Sequence, residues 1–347
     1  MSDRNRCSTS DVCLCRARGT LPETRAALEK VAALTALDPD LEVLALLGTG
    51  FEDALISTRN AGALVMGRGG YGPTQRHGTR LRLVRKRINL RISHARGASL
   101  ARVEGTTGGG ERGALVVLDG ADKVVHRVQY RSRVDEKIGR SLDPQGAPDC
   151  NSPDGGTPDW ATDCAPDYAP GCTPDRSVTA DAAPDDTIIP LTAIRNARMR
   201  WDEDKLSDHL DLVLSDGGAT RSRCLPHVGA DRARRVEAGL IPSFFAFLAE
   251  HAFPFTRAVP SQGILQFDIG CITALAQPDG VLVSQTERGA FSLDLDSIGS
   301  VWVTTMRGCA ALELYDHAAR NLAVLFADPW AEASNWADAL APFPTQR

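Results

Sequence analysis

Short runs of alternating apolar and polar residues, separated by glycine-rich turns, dominate this chain and predict strands. ALIST and ALVMG follow Phe51 and end at a Gly-Gly-Tyr-Gly turn. GILQFDIG at 263 to 270, VLVSQ, AFSLDL, SVWVTT, AALELYD and NLAVLFA continue the pattern. Helical signals lie between and around these runs. Thr20-Leu21-Pro22-Glu23 reads as a capping box with a helix-compatible proline, and the Ala/Leu-rich run behind it extends the predicted helix to residue 37. LEVLALLG, after Asp38-Pro39-Asp40, is too short and apolar to separate helix from buried strand. Trp201 to Arg223 is predicted as a helix with a basic end, capped near its start by Ser207 or Asp208, and IPSFFAFLAEHAF from Ile241 as an apolar helix. Asp328-Pro329-Trp330 is predicted to open a last helix running to Leu340. Helices lead, an antiparallel meander follows and a helix closes, which defines an α+β fold with segregated elements.

The second half of this pattern copies the first. GALVVLDGADKVVHRV (113 to 128) and AALELYDHAARNLAVL (310 to 325) align without a gap, pairing Ala114 with Ala311, Leu115 with Leu312, Asp119 with Asp316 and Lys123 with Arg320. Each reads as strand, Asp-containing turn and strand, which is a hairpin. INLRI at 88 to 92 and FSLDL at 291 to 295 form an upstream echo. The expectation is a tandem structural repeat, each half an antiparallel β-sheet meander with flanking helices. The boundaries are a flexible N-terminus over 1–19, a first repeat over 20–143, an acidic Pro/Asp-rich linker or insertion over 144–186, and a second repeat over 187–347.

Composition changes the picture at the linker. The net charge of −5 is misleading, because the acidic stretch holds nine Asp against one Arg, so the remainder of the chain is basic. Eight prolines and no apolar periodicity mark that stretch as a spacer, and it lacks the D-x-D-x-D-G order of a calcium loop. Nine cysteines, among them Cys7, Cys13 and Cys15 near the N-terminus, fit no zinc spacing and read as mostly free thiols. No apolar run approaches the roughly 18 to 20 residues of a membrane span, and the N-terminus has no secretory apolar core, so no membrane span and a cytoplasmic location are expected. The cluster Gly105 to Gly110 lacks the Lys-Ser/Thr of a phosphate loop, and no nucleophile triad can be assembled from the seven scattered histidines.

Two features carry candidate chemistry. Arg76 to Arg102 is dense in base; in LRLVRKRINLRI, strand alternation places Leu81, Leu83 and Arg85 on one side and sets Arg87, Asn89 and Arg91 together. Such a face is either solvated, or a nucleic-acid surface, or a cradle for an anionic small ligand whose carboxylates pair with guanidinium. The absence of interleaved aromatics argues against nucleic acid. His209, in the run Leu206-Ser207-Asp208-His209-Leu210, is either an iron ligand or a solvated surface residue.

These residues resemble the haemin-degrading and haem-utilisation proteins of Gram-negative bacteria, cytoplasmic tandem-repeat partners of haem uptake systems. Thr58-Arg59-Asn60 is similar to that family's T-R-N, Asn89-Leu90-Arg91 to its D-L-R-L, and 114 to 128 to its S-L-Q-F-F-D…H-K-V. Gly263, Gln266 and Gly270 are retained from its G-C-I-Q-I-H-T-G, and Val301-Trp302-Val303 and Leu312 to Asp316 resemble A-W-V and L-E-L-F-D. The resemblance implies b-type haem between the halves, with His209 as axial iron ligand, its motif W-x-x-M-T-D-x-H matched one residue out of register by Trp201 and Leu206 to His209. It places Arg91 on the opposite haem face and Arg221 at a propionate. Departures are also present. V-H-E becomes Val65-Met66, F-V-G-N becomes Ala258 to Ser261, Q-L-Y-G-Q-R becomes Val324 to Pro329, and R-K-P-T shortens to Thr304 to Arg307, where Arg307 is the replacement cation. The resemblance implies haem trafficking or haem-oxygenase-like degradation with iron release, with a haem oxygenase or haem importer component as partner. No catalytic side chain is assigned. The alternative is a degenerate paralogue that has lost haem and acts as a protein-interaction scaffold.

Overall fold

The structure is a computed structural model, and it describes residues 24–30, 32–37, 41–84, 86–93, 98–104, 112–142, 191–201, 203–307, 309–331 and 333–344. The N-terminal cysteines, the acidic stretch and the cluster at 105–110 lie outside these residues. In chain order the elements begin with α1 (Arg25–Glu29), β1 (Leu34–Leu37), α2 (Leu41–Gly48), β2 (Leu55–Arg59), β3 (Ala63–Arg68), β4 (Gln75–Arg76) and β5 (Asn89–Ile92). Then come β6 (Ser99–Glu104), β7 (Gly113–Leu118), β8 (Val124–Gln129), α3 (Arg133–Arg140), α4 (Leu191–Trp201), α5 (Leu206–Asp216) and α6 (Ala219–Cys224). The second half continues with β9 (Ala233–Val236), α7 (Ile241–Glu250), β10 (Phe255–Ser261), β11 (Ile264–Gly270), β12 (Ala274–Ala276), β13 (Val281–Gln285) and β14 (Gly289–Asp294). It closes with β15 (Ile298–Met306), β16 (Cys309–Asp316), β17 (Asn321–Ala327) and α8 (Ala333–Leu340).

The strands form two sheets, in the orders β1-β6-β7-β8-β2-β3-β14-β13-β12 and β4-β5-β11-β10-β17-β16-β15-β9. Reading the second from its other end, β9-β15-β16-β17-β10-β11-β5-β4, shows the same plan, so the fold is α+β with two repeated halves. Each sheet is completed by strands from the other half. β14 pairs with β3 and β5 with β11, so the two echoing segments, INLRI and FSLDL, occupy equivalent exchanged positions. The duplicated hairpins agree in fine detail. The β7–β8 ladder shifts register between Val117 and Leu118, and β16–β17 between Leu314 and Tyr315, the residues aligned with them. Asp119 Oδ1 accepts from the N–H groups of Ala121 and Lys123, as Asp316 Oδ1 does from Ala318 and Arg320. The aligned Asp122 and Ala319 both have positive φ, at 57° and 62°.

The sheets meet along β2, β3, β10 and β11. Val65 from the first half lies in the core built by α7, β15 and β16, and Ile264 from the second lies with Leu44, Phe51 and Val128. The T-R-N motif supplies the polar part of this joint. Asn60 Nδ2 donates to Pro260 O at 2.9 Å and Leu322 O at 2.8 Å. Thr58 donates to Gln266 Oε1 at 2.8 Å. Having given its proton to Gln266, Thr58 Oγ1 accepts from His126 Nδ1 (2.7 Å), which leaves His126 Nε2 to accept from the Tyr71 hydroxyl (2.7 Å). Thr58, Gln266, His126 and Tyr71 are buried and partnered, and burial pushes the His126 imidazole down to about 3.

Five sequence expectations are corrected. The helix over 20–37 is described as helix only at Arg25–Glu29; Leu34–Leu37 is instead the edge strand β1, paired with β6, because an available sheet edge outweighs local helix propensity. The helix over Trp201–Arg223 is α5 and α6 plus the end of α4, broken where Gly217 and Gly218 take φ of 68° and 81°. The cap of α5 is neither Ser207 nor Asp208: Lys205 is the N-cap, and Asp208 returns a carboxylate oxygen to its N–H at 2.7 Å. The last helix starts at Ala333, not at Pro329, since Asp328 closes a turn by accepting from Trp330 N at 2.9 Å. Among the described residues of LRLVRKRINLRI only Asn89–Ile92 is strand. The Asn89 side chain bonds Val84 N and O and folds the preceding residues into a loop. LEVLALLG is helix α2.

Candidate functional site

His209 sits in the first turns of α5, an amphipathic helix whose Leu210, Val213 and Leu214 enter a core with Trp201, Phe267, Trp302 and Phe326. The imidazole is buried and packs on Trp201 with ring centroids 4.9 Å apart. Its Nδ1 meets the Arg221 guanidinium. Arginine only donates, so Nδ1 accepts. Burial first, and Arg221 second, push the ring down to about 3, so it is neutral and its proton is on Nε2. Nε2 is buried and has no hydrogen-bond partner.

Arg221, on α6, is held on three sides. Nε and Nη2 donate to the two oxygens of Glu313 at 2.7 and 2.5 Å, Nη2 lies 3.7 Å from Met306 Sδ, and the guanidinium carbon stands 4.5 Å from the Trp201 ring centre. Glu313 is buried on β16 and also accepts from Thr304 and Tyr315, each at 2.6 Å. Burial alone raises this carboxyl, but Arg221 and the two hydroxyls outweigh it and bring it down to about 2.

Arg91 comes to the same place from the first half. It is fully buried on β5, not on a solvated basic face, and donates from Nε and Nη2 to the two oxygens of Asp211, each at 2.6 Å. Asp211 is two residues beyond His209 on α5. It also accepts from Gly78 N at 2.9 Å, while Arg91 Nη2 donates to Thr79 O at 2.9 Å. The loop between β4 and β5 is thereby tied across α5, with Leu81 and Leu83 packed on the His209 core. Arg80 and Arg82 on this loop are exposed, as is Arg87.

The structure therefore brings His209 and Arg221 into contact across α5 and α6, joins Arg91 on β5 to α5 through Asp211, which does not share a helix face with His209, and leaves Arg307 exposed beyond Met306 at the end of β15. The sequence reading missed Asp211 as a partner of Arg91, and missed Glu313, Thr304 and Tyr315 as the holders of Arg221. The signal was a carboxylate inside an apolar pattern: Asp211 between Leu210 and Leu212, and Glu313 between Leu312 and Leu314. Among the described residues no group of three His, Cys, Asp or Glu could hold a bare metal ion. No helix of the described residues is long and apolar enough to cross a membrane.

A single neutral, buried, unpartnered imidazole nitrogen fits haem iron, which takes its remaining ligands from the porphyrin. Iron takes the Nε2 lone pair, so ligation requires the proton to move to Nδ1 and the Arg221 guanidinium to turn away from it, whereas a metal-bound histidine ordinarily donates that N–H to an acceptor.

Comparison with solved structures gives the same architecture. The chain superposes on holo-PhuS, a heme-binding protein from Pseudomonas aeruginosa, with a TM-score of 0.66 and 18% identity over 96% of each chain. It superposes on ChuS, an E. coli heme oxygenase, with a TM-score of 0.64 and 17% identity over 89% of this chain and 88% of that one. At this identity the likeness establishes a shared fold of two repeated halves. No protein-family model and no curated protein sequence matches the chain.

Proposed function

We propose that this protein binds haem in the service of haem or iron utilisation, with His209 Nε2 as the iron ligand. The observation that carries this reading is the orphaned Nε2. A buried donor without a partner costs roughly 1 to 3 kcal/mol, and the surrounding polar groups of Glu313, Thr304, Tyr315 and Asp211 are all partnered. The fold shared with PhuS and ChuS supports it. Trp201 holds the ring plane, and Arg221, already paired with Glu313, lies against the far ring nitrogen. Arg80 and Arg82, exposed on the loop tied across α5, are the cations we assign to carboxylates of the ligand, together with Arg307. The reading keeps a first repeat at 20–143 and a second at 187–347, with the ligand between them and delivery to a haem oxygenase, or receipt from an importer component, as the partner step.

Bound haem supplies any oxidative chemistry, and the protein supplies ligand, cavity and exclusion of water. Haemin-loaded protein mixed with a reductant and a peroxide scavenger separates the two roles. A linear tetrapyrrole with iron release marks degradation, and intact haem that passes to an apo-acceptor marks a carrier.

A second reading, a scaffold without haem, rests on a specific observation. The two arginines that the resemblance assigns to the ligand are neutralised by the chain's own carboxylates, Arg91 by Asp211 and Arg221 by Glu313. That reading predicts no Soret shift at any haemin stoichiometry.

A further inference from the structure

The two halves differ in how their peripheral helices close. In the first half α2 and α3 pack together, with Ile138 of α3 so close to the end of α2 that a Cβ on Gly50 would come within 3.1 Å of it. The helices at corresponding places in the second half, α7 and α8, leave an open groove of about 560 Å³ between them, within the range of small-molecule sites. Its walls are aromatic: Phe244 and Phe247 from α7, Phe253, and Phe343 from the segment after α8. Phe343 meets Phe244 edge-on at 4.8 Å, and Phe244 lies near-parallel to Phe247 at 6.4 Å. Phe247 is 38% exposed, a large apolar side chain on the outer face of α7 beside the exposed Ser243 and Glu250. The groove is preformed, because Arg234 donates to the carbonyl oxygens of Leu340 and Phe343 and Trp336 Nε1 to Ala310 O, which fixes its far wall.

Charge decides what this groove takes. The one ionisable side chain among its lining residues is Asp338, exposed on α8 and without a salt-bridge partner among the described residues. Among the described residues, no Lys or Arg lines it. Arg234 is engaged with backbone carbonyls, and His251, tilted against Phe247 with ring centroids 4.4 Å apart, donates Nδ1 to Phe247 O. Four phenyl rings with negative faces and one unpaired carboxylate complement a lipophilic cation.

We propose that the groove between α7 and α8 is a second ligand site, independent of His209, that takes an organic ammonium ion carrying an apolar or aromatic body. Its aromatic faces hold the body and the cationic head, and Asp338 holds the ammonium at the mouth. Carboxylate-bearing ligands are disfavoured by the same charge.

The test is a saturation-transfer NMR titration of the intact chain with three near-isosteric probes: phenylpropylammonium, phenylpropanol and phenylpropionate. The expected result is saturable binding in the order ammonium, alcohol, carboxylate, with about a fivefold step between the first two. Asp338→Asn removes that step, Phe247→Ala weakens all three probes, and His251→Gln leaves the order unchanged. Asp338 and Phe247 are exposed, so these variants fold. Equal binding of the three probes, no saturable binding, or an unaltered order in Asp338→Asn overturns the proposal. Self-association of the chain through Phe247 in place of probe binding also overturns it.

Discussion

Arg91 and Asp211, 120 residues apart, form a two-point salt bridge between the first half's β5 and the second half's α5, with both N···O distances at 2.6 Å. Both side chains are buried, so the bridge contributes little net energy over an apolar pair but is costly to halve. Asp211→Asn is expected to lose about 3 to 5 kcal/mol in urea unfolding, because Arg91 keeps a buried charge with no counterion. The double replacement Arg91→Met with Asp211→Leu is expected to recover most of that loss. Equal losses in the single and double variants would show that the two residues are not coupled.

Glu313 has the same role for Arg221 with more partners. Glu313→Gln leaves Arg221 buried and unpaired and is expected to cost about 3 to 5 kcal/mol. Tyr315→Phe, which removes one donor, is expected to cost about 1 kcal/mol. Urea midpoints with unchanged m-values check the ranking. A Tyr315→Phe loss as large as that of Glu313→Gln would contradict it.

The buried histidines make the fold sensitive to acid. His126 falls from an ordinary value of about 6.5 to about 3 on folding. A depressed value means that the unfolded chain binds the proton first. The stability held by the neutral ring is therefore complete above about pH 6.5 and is lost as pH falls toward 3, by about 1.4 kcal/mol per pH unit. His209 shifts in the same direction, which steepens the slope. Urea unfolding between pH 7 and 4.5 checks this, and His126→Gln is expected to flatten the dependence while lowering stability at neutral pH. A pH-independent midpoint in the native chain would refute the assignment.

Much of the architecture is legible in the sequence because the repeat is written into the hairpins. The pairing of Asp119 with Asp316 predicts the same turn twice, and the structure repeats it down to the bulge and the positive φ. Thr58, Asn60 and Gln266 are legible as motif residues, but their work, joining one sheet to the other, is not, because it depends on contacts 200 or more residues apart. Segments whose local pattern opposes their place are not legible. Leu34–Leu37 follows a helix-forming run yet completes a sheet edge, and Leu81 and Leu83 alternate like a strand yet belong to a loop. At the site, His209, Arg91 and Arg221 could be picked out one at a time, whereas Asp211 and Glu313 could not. Their pairing is set by the packing of α5 and α6 on β5 and β16.

The central claim, that His209 is the iron ligand of a haem site, is tested most directly by titrating haemin into the native chain and into His209→Ala and following the Soret band. The account predicts saturation near one equivalent in the native chain, and loss or a spectral change of that band in the variant. A native chain with no saturable band, or a variant that binds with the native spectrum, would contradict it.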